Sequence, residues 1–524
     1  MRSNKGALTA VCVGLATVVS AVSSLMVALP DVARHTGASQ TQLSWIVDGY
    51  ALTLAALLLP GGYLGDRLGR RRVMLCGLGL IVLAAAGGAL VTDPTALIGV
   101  RVVMGMAAAL IMPATLSTIT ATFPPDERVR GVAIWAGLAG GSAVLGLFAS
   151  GLLLEWFSWQ AIFWFTVALA TAATGLTIRS VPESRAVSIG RFDVGGAALS
   201  VLGLGVLVYS IIEAPIEGWG SARTLLGLAA GAVILCCFAV WELRNSAPLL
   251  DVRLFRHRGF AAGMLSVFSL FFVFFGFIFV FMQYLQFVRA WSPLVAACAA
   301  TPVALGLLPG ARIAPRLVER FGSRVLALVG MALVAIGMSG LATVHATTDY
   351  WLIAVLLWLA GTGMGWAMTP ATTDITDSLP QDQQGVASAM NDVAREVGGA
   401  LGIAVLGSVL SNGYRSGLPL HGVPQQVATV ARESVAAAVG LPEPMSSLAR
   451  SAFVDGLGDA LGLAAVVLIV CALGVALVAG PTGRRKSDAA DSVERPRGGA
   501  TIPVTGRRRQ THGPVLRSAA CEEH

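Results

Sequence analysis

Long apolar runs separated by short polar breaks fill nearly the whole chain. Apolar segments fall near 7–29, 44–64, 73–92, 95–121, 130–154, 160–180, 194–213, 223–243, 259–282, 292–316, 323–345, 351–377, 385–411 and 458–480. A hydrocarbon core of about 30 Å takes roughly 20 helical residues, so this pattern predicts fourteen membrane-spanning helices. Two stretches outside the spans are longer than ordinary loops. Segment 412–457 holds enough Ala and Val for an amphipathic surface helix, and the basic, Pro/Gly-rich tail 481–524 reads as disordered.

Composition sharpens this to an all-α integral membrane protein. Of 524 residues 55% are hydrophobic and 12% charged, where a soluble domain carries about 25% charged residues. The 61 glycines sit within the apolar runs, where small residues let membrane helices approach closely. Arg2 and Lys5 before the first run resemble the start of a signal peptide. That run is longer than a signal core and many equivalent runs follow it, so it reads as the first span.

The basic residues orient the helices. With the N-terminus inside, six of the 36 Lys and Arg fall outside (Arg34, Arg223, Arg289, Arg415, Arg432 and Arg450) and two within spans (Arg101 and Arg395). The remaining 28 lie on the cytoplasmic side, as the positive-inside rule requires. Both termini are therefore expected in the cytoplasm of a multi-pass cell-membrane protein. The net charge of +7 is explained by orientation, and no nucleic-acid partner is expected. No phosphate-binding loop, catalytic triad or metal-ligand spacing occurs among the seven cysteines and six histidines. No enzyme, cofactor or metal is expected.

An internal repeat organises the spans. GYLGDRLGRRR (62–72) follows the second and PRLVERFGSR (315–324) the tenth; MPAT (112–115) in the fourth matches TPAT (369–372) in the twelfth. RGVA (130–133) opens the fifth and QGVA (384–387) the thirteenth. The nearly constant offset makes the first six spans correspond to the last six, with two inserted between them. This 6+2+6 arrangement predicts an N-terminal bundle over 1–180, an inserted pair with linkers over 181–258 and a C-terminal bundle over 259–480. Such bundles work by alternating access to a site near the midplane, and one chain is expected to suffice.

With these motifs in order, the chain resembles the fourteen-helix drug:proton antiporter branch of the major facilitator superfamily, the EmrB/QacA type, in its actinobacterial form. GYLGDRLGRRR is similar to the superfamily's loop motif. VALP (27–30), SWIVDGYALT (44–53), YLQ with SPL (284–286, 292–294) and MNDVAREVGGALGIAVLGSVL (390–410) carry further likeness. The resemblance implies proton-driven efflux of drugs or related amphipathic compounds, with a dedicated exporter or importer of one endogenous metabolite as the alternative. It implies a cytoplasmic latch of Gly62, Gly65, Asp66, Arg67, Gly69, Arg70 and Arg71, in which the first two glycines allow close helix approach and Asp66 meets a helix N-terminus or an arginine. A purely topogenic basic loop is the other reading. It also implies a small-residue antiporter face at Gly137, Gly141, Gly146 and Gly151, although Leu147 stands where the motif has proline and Ser150 where it has glycine.

The charges inside the spans are the candidates for proton coupling. Arg101, in a run that resembles the branch's fourth-helix arginine motif, is either functional or snorkels to the outer interface. The resemblance implies an aspartate in the first span, but the residue there is Ala21. Asp48, expected near the outer mouth, and Asp392 with Glu396 remain. The latter two lie one turn apart on one face, with Arg395 three residues from Asp392. They form either a protonatable pair that loads and unloads as the cavity opens to each side, or a structural Asp392–Arg395 ion pair. Tyr50, Trp135, Trp366 and Gln283 are the side chains expected to meet substrate.

Overall fold

The computed structural model describes residues 2–185, 192–245, 248–379, 384–419 and 423–478. The tail 481–524, expected to be disordered, lies outside them. The first bundle is built from α1 (Arg2–Thr36), α2 (Gln40–Leu68), α3 (Arg70–Leu90), α4 (Pro94–Thr122), α5 (Pro125–Trp156) and α6 (Gln160–Ser180). Next come α7 (Val194–Glu217) and α8 (Ala222–Arg244). The second bundle holds α9 (Arg258–Gln283), α10 (Pro293–Ala299), α11 (Thr301–Phe321), α12 (Ser323–Leu341), α13 (Tyr350–Asp377), α14 (Gln384–Gly417) and α17 (Met445–Val478). Two short helices, α15 (Gln425–Glu433) and α16 (Val435–Val439), precede α17. Among the described residues thirteen helical stretches are long and apolar enough to cross a membrane, with α10 and α11 making one. The apolar stretch Ser142–Trp156 of α5 supplies the fourteenth.

Local chemistry explains several ends. Ser39 caps α2, accepting from the Gln42 N–H while the Gln42 side chain accepts from the Ser39 N–H. Asp93 caps α4 just ahead of Pro94. The expected tenth span breaks at Ala300, because Pro302 has no N–H for the Cys298 carbonyl. α9 runs beyond its expected end at 282 into a π-helical turn, Tyr284–Val288. Segment 412–457 is more helical than expected. α14 continues to Gly417, α15 is the expected short surface helix, and α17 starts well before 458, with Ala449, Ala452, Phe453 and Leu457 buried. Trp159, just ahead of α6, is buried.

The repeat reappears in the packing. α2 with α4, α3 with α4, α1 with α5, α1 with α6 and α3 with α6 are the main contacts of the first bundle. Their counterparts recur as α11 with α13, α12 with α13, α9 with α14, α9 with α17 and α12 with α17. Single glycines match as well. Gly69 and Gly322, at equivalent places in the two loop motifs, have φ of 112° and 86°. A methyl group on Gly105 would lie 2.5 Å from the Tyr50 carbonyl oxygen, and one on the equivalent Gly361 would strike the Val303 carbonyl oxygen. Tyr50 and Val303 are themselves equivalent in the repeat, so one backbone-to-backbone contact is built twice.

Between the bundles, α7 lies against both α2 and α14. Trp45 donates to Glu213 at 3.1 Å, and Ser408 donates to the Ile211 carbonyl at 2.6 Å. α8 packs chiefly on α7 and exposes Leu225, Leu226, Val233 and Val240, which suits a lipid-facing helix.

The duplicated glycine contact generates a paired test. Gly361→Ala should lower the melting temperature of the purified protein, by an overpacking cost of about 1–3 kcal/mol. Gly79→Ala, where a methyl meets nothing within 4 Å, should leave it unchanged or slightly raise it. Equal melting of the two variants would contradict the backbone contact at α11 and α13.

Candidate functional site

The packing of α9 on α14 places the acidic site. Gly398 and Gly276 bring the two backbones together: a methyl on Gly398 would sit 2.5 Å from the Phe268 carbonyl oxygen, and one on Gly276 2.6 Å from that of Gly402. A methyl on Gly402 would strike the Phe272 carbonyl. The run VGGALG after Glu396 is therefore a packing surface that fixes the turn bearing the charges. On that turn Arg395 lies 3.5 Å from Asp392 and 4.9 Å over the Phe271 ring. Asp392 is buried, and the structural ion pair is present. Glu396 is half-buried and within electrostatic range of Arg395, Asp392 and the Tyr50 hydroxyl of α2.

Tyr50 sits in the core of the first bundle. Its hydroxyl donates to the Val18 carbonyl at 2.9 Å, and its ring lies beneath the Arg101 guanidinium at 4.3 Å. Arg101 does not snorkel. It is 1% exposed, with Nε donating to the Ile46 carbonyl at 3.0 Å and Nη1 to the Ala21 carbonyl at 3.2 Å; Nη2 has no partner. The position where the resemblance implies an acid thus meets the arginine through its backbone oxygen. Tyr50 and Arg101 join α2 to α4 within the first bundle.

The other candidates lie apart from this pair. Asp48 is fully buried rather than at an open mouth, and neither carboxylate oxygen has a hydrogen-bond partner. Two residues from Tyr50, it points to nearly the opposite side of α2, along the stripe of Ser44 and Ala55 that faces α14 and α7. Trp135 is buried and donates to the Thr115 hydroxyl at 3.0 Å. Gln283 is buried and its amide donates to Phe279 of its own helix at 3.1 Å. Trp366 is half-buried, its indole N–H without a partner. These three do not converge with Tyr50.

The loop motif is seated on the end of α6. Asp66 accepts from Nε and Nη2 of Arg70 at 3.0 and 2.7 Å, so it meets an arginine. Arg71 donates to the Ile178 carbonyl at 2.7 Å, the Arg70 N–H to the Ser184 carbonyl at 3.0 Å, and Arg72 lies 3.5 Å from Glu183. A side chain at Gly69 would strike Glu183; Arg67 is exposed. Among the described residues no close approach is made at Gly62 or Gly65. A methyl on Gly65 meets nothing within 4 Å and one on Gly62 makes ordinary contact with Pro113, while Gly61 carries the approach, against the Ala109 carbonyl. In α5, Gly146 packs on Ser20 and Ser23 of α1, and Gly151 on Leu294 of α10. Ser150 adds a bond to the Ser24 carbonyl at 2.7 Å. The surroundings of Gly137 and Gly141 lie outside the described residues.

The two bundles meet at the end holding the C-terminus of α1. There the Gln286 amide donates to the Val27 carbonyl at 2.8 Å, Arg34 lies 5.7 Å over the Phe287 ring, and Ser292 donates to Glu155 at 2.5 Å. Among the described residues no hydrogen bond joins the bundles at the opposite end. This end is closed.

The model of the Major Facilitator Superfamily matches residues 11–403. The chain is 33% identical over 464 residues to the methyl viologen resistance protein SmvA of Salmonella typhimurium, covering 86% of this chain and 93% of that protein. It is 31% identical to the tetracenomycin C resistance and export protein of Streptomyces glaucescens, over 89% of this chain and 90% of that one. It is 34% identical to the multidrug efflux pump LfrA of Mycolicibacterium smegmatis, over 86% and 91%. Among solved structures, a bacterial homologue of the human lysosomal transporter Spinster aligns with a TM-score of 0.66 at 16% identity, covering 91% of this chain and 97% of that one. The fourteen-helix repeat and these matches agree: the chain belongs to the Major Facilitator Superfamily, and is a multi-pass membrane transporter of small molecules rather than an enzyme.

Proposed function

We propose that this transporter is a proton-driven exporter of drugs and related amphipathic compounds. The names of its relatives support the cargo class, since they denote resistance to methyl viologen, export of tetracenomycin C and multidrug efflux. The repeat supports the mechanism: bundles 1–180 and 259–480 rock about a central site, with the inserted pair 181–258 between them and the outer surface in lipid. The basic residues support the orientation, with both termini cytoplasmic and the closed end facing outside. With the outer end closed, alternating access predicts that cargo enters from the cytoplasm, as export requires.

The observation that carries the reading is the half-buried Glu396, one turn from the Asp392–Arg395 pair on the helix α14 that glycines seat against α9. A carboxylate near the bilayer midplane is costly when charged and alone. Its proton load therefore depends on which partners the bundles bring to it. Loading from the outside and release to the inside drives export. Asp392 already has Arg395, so it tunes Glu396 and is a weaker proton carrier. Asp48 is a second buried acid on the other side of α2. The loop motif 62–72 serves as the cytoplasmic latch, and the half-buried Trp366 is the aromatic contact offered to substrate; Tyr50 is fully buried beneath Arg101, Trp135 bonds Thr115 of α4, and Gln283 bonds within its own helix.

Glu396→Gln is expected to abolish proton-driven accumulation in inverted vesicles while substrate-for-substrate exchange survives, with Asp392→Asn the milder variant. Accumulation retained by Glu396→Gln under a proton gradient would place the coupling elsewhere.

Orientation is checked separately. Reporter fusions after Arg72, Arg258 and Arg324 should register cytoplasm, and fusions near Arg223 and after Gly417 should register the outside. One reversed site would defeat the fourteen-span orientation.

A further inference from the structure

Three of the short motifs noted in the sequence meet at the closed end. VALP (27–30) lies near the C-terminal end of α1, YLQ (284–286) begins the π-helical turn after α9, and SPL (292–294) opens α10. The turn is wide: Arg289 N–H bonds the Tyr284 carbonyl and Trp291 N–H the Leu285 carbonyl. π-helical turns are rare and concentrate at functional sites. Ala290 completes this one at φ 52°, in the left-handed region that favours glycine. The turn is pinned to its own bundle by the Tyr284 hydroxyl on the His345 carbonyl and by Arg289 on the Ala346 and Thr348 carbonyls, at 2.7–2.8 Å. So anchored, it directs the buried Gln286 side chain across the seam to the Val27 carbonyl.

That carbonyl is available for a chemical reason. Pro30 has no N–H to give to Met26, so the ladder of α1 loosens over 26–30. A carbonyl beside such a gap takes a second donor readily. Arg34, one turn on, covers the contact by bonding the Gln286 carbonyl at 3.5 Å and lying over Phe287. The second point of closure is SPL: Ser292 bonds Glu155 of α5, and Gly151 admits Leu294 to contact with the α5 backbone.

We propose that the Tyr284–Val288 π turn is the clasp of the outer gate, and that Gln286 is its positioning residue. Its amide holds the outer end shut by bonding the Val27 carbonyl, next to the Met26 carbonyl that Pro30 leaves without a helical donor. Opening outward requires this bond and the Ser292–Glu155 bond to break together, while the turn stays with the second bundle. The inference rests on alternating access between the bundles, but on neither the cargo nor the coupling ion.

The test is hydrogen–deuterium exchange on the full chain in detergent, without substrate or gradient. Gln286→Leu keeps the bulk and removes the donor. It should speed exchange over 27–36 and 284–297 by roughly fivefold, the worth of one buried hydrogen bond. Exchange over 62–72 should slow as the opposite end closes, a distant response that a merely local structural role would not produce. Gln286→Asn, one methylene short, should behave alike and serves if the leucine variant fails to fold. Exchange that changes only over 284–291, or Gln286→Asn exchanging as the unaltered chain does, would overturn the clasp. Failure here leaves the export reading standing, because neither cargo nor protons enter the measurement.

Discussion

Close approach of backbones at glycine is the contact on which the rest of this structure depends. In lipid, apolar side chains gain little by leaving one membrane helix for another, so packing must come from shape and proximity. Here Gly105 and Gly361 seat α4 on α2 and α13 on α11, and Gly276, Gly398 and Gly402 seat α14 on α9. Each contact brings carbonyls of one helix within reach of the next. Arg101 can then be solvated by the Ile46 and Ala21 carbonyls at the centre of an apolar bundle. The seat of Arg101 over the Tyr50 ring is a product of that packing.

Much of this was legible in the sequence, for reasons that differ by feature. The spans and the repeat could be read because hydrophobic length and motif spacing are one-dimensional quantities. The Asp392–Arg395 pair could be read because i and i+3 share a helix face. Ends were less legible where tertiary contact extends a helix past its apolar run: α17 begins at Met445 because its first turns are buried. The partner of Asp66 was one of two expected, since Arg70 lies one turn away.

What the sequence hid was which glycine makes contact and which polar atoms meet across helices. Gly61, Gly62 and Gly65 look alike in the chain, yet only the first faces a carbonyl. That depends on the rotation of α2 about its axis, which its weak apolar periodicity does not set. Tyr50 and Arg101 lie 51 positions apart, and nothing in either local motif announces a ring beneath a guanidinium. Gln286 was passed over for Gln283, although the latter's amide never leaves its own helix. Side chains that bond a neighbour's backbone leave no matching residue type to find, because the partner is a carbonyl that any residue could supply.

This last point bears on the substitution of Ala21. The resemblance implies a carboxylate at that position, which would supply a counter-charge within the first bundle. With alanine, the guanidinium keeps its charge on two carbonyls and a tyrosine ring, and Nη2 remains unspent. Carbonyl dipoles solvate a cation without cancelling it, so Arg101 still acts on whatever acid the opposite bundle presents. On the proposed coupling that acid is Glu396. With no acid at position 21 to neutralise it, the arginine can then act on the other bundle with a strength that varies as the bundles part and close. A charge pair confined to one bundle could not be modulated in this way, since its distance would survive the rocking unchanged.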